Sequence, residues 1–188
     1  MKSVAELLEL GRKKPGGLTF GSAGVGSTAH LLAAQIGRGT KTPITFVQYR
    51  GGAPLMADLI TSRLDFAFAS YTSARSNVEA GKLRSLAVDA DTRLPATPDV
   101  PTLIEVGLGN ERIANWFGLI GPAGMSPALI QRLNAEIVRA SRDQGLIKRL
   151  TDNGTLIATS TPQEMDAMLR EEVKNTGELV KALGLQNK

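Results

Sequence analysis

Gly21, Ser22, Gly24, Gly26, Ser27 and Thr28 crowd the run LTFGSAGVGSTAH at residues 18–30, where a short apolar stretch gives way to a Gly/Ser turn and then to residues that favour a helix. Residues of these types at this spacing make an anion seat. Glycine admits positive φ and lets a ligand approach the main chain, while the first turn of the following helix offers unpaired N–H groups and a partial positive charge. A phosphate or a carboxylate is the guest such a turn accommodates.

Three familiar chemistries compete for the turn. In P-loop spacing Gly21 and Gly26 take the two glycine positions and Thr28 the final Ser/Thr, but Ser27 stands where the phosphate-binding lysine belongs. In dinucleotide-fold spacing Gly24-Val25-Gly26-Ser27-Thr28-Ala29 reads G-x-G-x-x-A, yet the next apolar run, 44–49, is followed by Arg50 and not by an acid for a ribose hydroxyl. Arg50 leaves room for a phosphorylated dinucleotide, and so for an enzyme using NADP or a phosphorylated substrate. The nucleophile elbow fails, because Phe20 and Val25 occupy its first glycine position. The plain alternative is a glycine turn that only joins a strand to a helix.

His30, the single histidine, shares a helical face with Ser27, the spacing of a nucleophile and its base, but no acid nearby would orient the ring. The competing reading is a histidine hydrogen-bonded near the cleft. Trp116 reads as packing at a junction, and Asp89 and Asp91 lack metal-ligand spacing.

Periodicity supplies the elements around the turn. Val4, Leu7, Leu8 and Gly11 stripe a first helix that ends in the basic Lys13-Lys14-Pro15-Gly16-Gly17. Strands are expected at 18–20, 44–49, 64–69 and 85–88, with helices at 28–36, after the turn at 50–54 through 60, and at 73–80. That alternation predicts a mainly parallel sheet with ligands at the strand C-terminal ends. Pro95, Pro98 and Pro101 mark a crossover within 89–113. Beyond it, strands are expected at 117–120 and 155–158, with helices opened by Ser126-Pro127 and by the capping signal Thr161-Pro162-Gln163-Glu164.

Composition narrows the function. A chain of 188 residues forms one large or two small domains. Its net charge of +4 is spread without basic runs or interleaved aromatics, which argues against nucleic acid. Absence of cysteine removes disulfides, thiolate metal sites and thiol nucleophiles. No apolar run reaches the roughly 20 residues of a membrane span, and the first residues read as an amphipathic helix in place of a signal peptide.

Taken in order, GSAGVGSTAHLLA, VQYRGGAPLMADLITSRLDFAFAS, AGKLRSLAV, TPDVPTLIEVG, WFGLIGPAGMSPALIQRLNAEI and STPQEM closely resemble the TctC-like, or Bug, extracytoplasmic solute receptors. The resemblance implies an α/β, periplasmic-binding-protein-like (type II) Venus flytrap that captures a small carboxylate. It would deliver that ligand to the membrane components of a tripartite tricarboxylate transporter, without catalysis, cofactor or metal, and in the periplasm. In that family two strand-to-helix loops pinch a ligand carboxylate through main-chain N–H groups. Carried onto this chain, Ser22, Ala23, Gly24, Gly26, Ser27 and Thr28 form one pincer. Tyr49, Arg50, Gly51, Gly52 and Ala53 form another cleft segment, and Ser70 and Tyr71 a wall that senses the rest of the ligand.

The family's pattern also begins earlier, with a signal peptide and a first half-domain carrying the other pincer, so an N-terminally truncated member is expected. Residues 1–112 would be one complete α/β domain, and 113–188 the C-terminal elements of a second, incomplete one. Those elements should expose apolar surface that a homo-oligomer covers. A fragment that no longer binds ligand and serves as an assembly module is the alternative.

Overall fold

The computed structural model describes residues 1–111, 113 and 116–184. Three parallel strands form one sheet in the order β2-β1-β3: β1 (Leu18–Ser22), β2 (Ile44–Gln48) and β3 (Phe66–Ala67). β1 is central, with Phe20 opposite Phe46 on one side and Phe66 on the other. Leu18 and Phe20 are fully buried, and the Phe20 ring lies 5.7, 4.9 and 6.0 Å from those of Phe46, Phe66 and Phe68.

Entry into β1 is set by Gly17. Its φ of +75° favours glycine, and a Cβ there would fall 2.2 Å from the Pro43 carbonyl oxygen. That same oxygen accepts the Leu18 N–H at 2.9 Å, so strand entry and close approach are one contact. Asp65 fastens the same end to β3. Its Oδ2 accepts from Thr19 N–H, Thr19 Oγ1 and Lys14 Nζ, each at 2.6 Å. Burial pushes this carboxyl up, and the Lys14 and Thr19 hydrogen bonds outweigh burial to hold it below its usual range.

Helices α1 (Val4–Lys13), α2 (Thr28–Gly39), α3 (Gly52–Ile60) and α4 (Tyr71–Glu79) complete this unit. Val4 of α1 and Leu32 and Ile36 of α2 share a core with Leu103 and Leu108, so the segment after the proline-rich crossover returns to close the apolar face. The expected strand at 85–88 reduces to a single bridge from Val88 to Thr102, and 64–69 shortens to two paired residues. The 64–69 run pairs only where it meets Phe20 and Gly21 of β1, and the 85–88 run lies outside the sheet.

The remainder is helical: α5 (Pro127–Ala140), α6 (Gln144–Asp152) and α7 (Pro162–Ala182). The expected caps are present. Ser126 Oγ accepts from Leu129 N, and Thr161 and Glu164 form a reciprocal capping box. α6, N-capped by Asp143, has no counterpart among the expected elements. No residue of α5, α6 or α7 is buried. The runs expected as strands at 117–120 and 155–158 are unpaired, and Phe117 and Ile120 are 92% and 79% exposed. A strand needs a neighbour for its backbone groups, and among the described residues none lies beside either run. The whole is a mixed α/β fold with a partial domain; Arg112, the expected boundary residue, lies outside the described residues.

Candidate functional site

Three helix N-termini converge where the parallel strands end. β1 runs into α2, β2 into α3 and β3 into α4, and the first turns of these helices border a cleft of about 270 Å³ with Phe68 and Leu55 in its wall. No lining side chain is charged. Each N-terminus carries roughly half a positive charge. The N–H groups of Thr28, Ala29, Gly52, Ala53 and Thr72 make no hydrogen bond to a described residue. α3 starts at Gly51 without a side-chain cap, and Ser70, ahead of α4, directs its hydroxyl to Thr72 and Ser73. The cleft is therefore rich in aligned donors and lacks fixed negative charge, which suits a small anion.

The loop from β1 to α2 is built by hydroxyls and one imidazole. Ser22, fully buried at the strand end, donates to the Gly24 carbonyl at 2.8 Å and lies 3.3 Å from Ser27 Oγ. Ser27 is the N-cap of α2, accepting the His30 N–H. Gly26, at φ +75°, donates its N–H to His30 Nδ1 at 2.9 Å. His30 is 5% exposed, its ring 4.6 Å from that of Phe46, and burial lowers its pKa. The imidazole thus serves the loop backbone and is not paired with the Ser27 hydroxyl.

Of the residues expected at a site, Ala23, Ser27, Gly52 and Ser70 border the cleft together. Ser22, Gly24 and Gly26 shape the loop behind it, and Thr28, Gly51 and Ala53 belong to the adjoining helix starts. Tyr49 turns its hydroxyl to Asp58 at 2.8 Å, and Arg50 is exposed beyond β2. Tyr71 packs against Gly154 and carries the Arg75 guanidinium 5.9 Å above its ring. Gly21, part of the anion seat read from the sequence, also lines the cleft, together with Ala29, Leu55, Met56, Phe68 and Ser73, none of which is an expected contact. Of the latter five, Ala29 alone carries a signal, inside the G-x-G-x-x-A run. A second cavity of about 350 Å³ lies among Gln35, Trp116 and α7, but Glu171 and Glu172 line it. Glu172 accepts the Trp116 Nε1–H at 2.5 Å, and this acidic lining opposes an anionic guest.

Fold and cleft together give an α/β unit whose strand C-terminal ends open on an uncharged cleft ringed by helix N-termini. The chain belongs to the TctC family, described as the tripartite tricarboxylate transporter family receptor, whose model matches residues 1–185. A protein of the tcbD–tcbE intergenic region of a Pseudomonas species is 32% identical over 180 residues, covering 95% of this chain and 54% of its own length. The R. palustris protein Rpa4515, solved with adipate, is 28% identical with a TM-score of 0.86, covering 98% of this chain and 62% of that one. MatC of Rhodopseudomonas palustris, solved with bound malate, is 27% identical with a TM-score of 0.75, covering 95% and 62%. The chain spans about half the length of the curated relatives it matches.

Proposed function

We propose that this chain is the carboxylate-capturing part of an extracytoplasmic solute receptor, working in the periplasm with a tripartite tricarboxylate transporter and without catalysis. The carrying observation is the convergence of three helix N-termini on one uncharged cleft. Adipate and malate in the two R. palustris relatives support a small carboxylate as the guest. Ser27, Gly52 and Ser70 sit nearest the ligand, with the loop Ser22 to Thr28 as one pincer. In this reading residues 1–112 form the ligand-bearing domain and 113–188 belong to the partial one.

A thermal-shift series with adipate and malate tests capture. At one hundred times its dissociation constant a ligand should add about 2.7 kcal/mol, which for a chain of this size raises the melting temperature by roughly 5–10 °C. No shift with any small carboxylate would overturn the reading.

A second reading, an assembly module without ligand, is favoured by the exposure of Phe117, Leu119, Ile120 and Val173. Such a surface calls for cover, and a second copy of the chain supplies it in either reading. Light scattering should then give the mass of at least two chains; a stable monomer at high concentration would remove the homo-oligomer.

A further inference from the structure

We propose that His30 is the positioning residue of the ligand loop: its neutral imidazole accepts the Gly26 N–H and thereby holds the pincer closed, so that a proton arriving on Nδ1 releases the loop and weakens capture. The inference rests on the reading of the cleft as a carboxylate site. Its geometry is independent of any ligand. Gly26 is held at φ +75° two residues from the helix start, and the Gly26 N–H to His30 Nδ1 bond is 2.9 Å long. An acceptor at Nδ1 fixes the neutral tautomer with its proton on Nε2. Protonated, the ring would turn a donor toward the Gly26 donor, and one of them must move.

Among the described residues of the elements packed around the ring, none offers the imidazolium a counter-charge. β1 and β2, packed against α2, carry no titratable side chain, and the ring of Phe46 is the face the imidazole meets. Arg38, the basic residue of α2, lies at the far end of the helix. Arg50 is exposed beyond β2, and Asp65 is tied to Thr19 at the opposite end of β1. The 3-10 turn Gly109–Glu111 meets α2 at Gln35, more than a helical turn past His30. His30 also occupies the first turn of α2, where the helix dipole disfavours a cation. With burial, these effects place its protonation below the usual histidine range near 6.5.

The test pairs binding with a ligand-free readout on the full chain. Adipate and malate titrations between pH 8 and pH 4.5 should show affinity falling up to tenfold per pH unit below one midpoint. In His30→Asn the amide oxygen stands where Nδ1 stood. That variant should keep wild-type affinity at pH 7.5 within about threefold and lose the histidine-dependent part of the profile. His30→Gln displaces the acceptor and should bind at least tenfold more weakly at every pH. Equal loss in the Asn and Gln variants, a wild-type profile persisting in His30→Asn, or affinity that rises on acidification would each overturn the proposal. In the protein without ligand, the Gly26 amide proton should move with the His30 ring titration by NMR, and independence of the two signals overturns it as well. If neither acid binds at any pH, the carboxylate reading fails, while the NMR titration still decides the role of His30.

Discussion

Phe20→Ala is expected to remove about 3–5 kcal/mol of folding stability, the largest loss expected of a single truncation among the described residues. Phe20 stands on the central strand with no exposed surface, and its ring touches Phe46, Phe66 and Phe68 from three directions. Each aromatic pair adds about 0.5–1.5 kcal/mol beyond area burial, and the cavity left behind cannot close while β2 and β3 are both bonded to β1. Urea unfolding followed by circular dichroism measures it. Phe20→Leu, which keeps most of the volume, should lose clearly less. Equal losses would mean that the ring's own contacts with Phe46, Phe66 and Phe68 carry the stability and that the retained volume contributes little.

Ala29→Asp is expected to abolish carboxylate capture while leaving the fold intact or slightly firmer. Ala29 is the second residue of α2 and lines the cleft. A carboxylate there complements the helix dipole by about 0.3–1 kcal/mol, so the unliganded melting temperature should hold or rise. The same charge meets the ligand. At about 4 Å and an effective dielectric near 20, two like charges repel by about 4 kcal/mol, close to a thousandfold in affinity. Ala29→Asn carries the same bulk without the charge and should retain most of the binding. Calorimetric titration with adipate separates these outcomes; affinity within tenfold of the parent in Ala29→Asp would place the ligand elsewhere.

The ligand loop was legible because its signals are local. Gly26 announces positive φ, Ser27 an N-cap, and the apolar residues before them a strand, so loop and helix read directly from neighbours in the chain. The cleft wall was harder. Leu55, Met56 and Phe68 look like any buried apolar residue, and only the packing of α3 and β3 against β1 turns them toward the same space as Ala29. The runs at 117–120 and 155–158 misled for a related reason. Phe117, Ile120, Thr155 and Ile157 carry strand propensity, but pairing is supplied by a neighbour remote in sequence, which propensity does not encode. Tyr49 is an expected contact through the family resemblance, yet its hydroxyl is engaged by Asp58, a partner nearly two helix turns into α3.

The strand order carries a kinetic consequence. β2 and β3 both pair with β1 and never with each other, so neither can form part of a sheet until β1 is in place. Parallel pairing already demands that a crossover close before any ladder bond forms, and the β1 to β3 closure spans a much longer loop than β1 to β2. Loop closure therefore favours docking of β2 on β1 ahead of β3 by about 0.6 kcal/mol, and mutations in β3 are expected to speed unfolding more than they slow folding, which a chevron analysis measures. With only two residues paired, β3 and the cleft wall it delivers are expected to exchange their amide protons ahead of β1 and β2 in the native state.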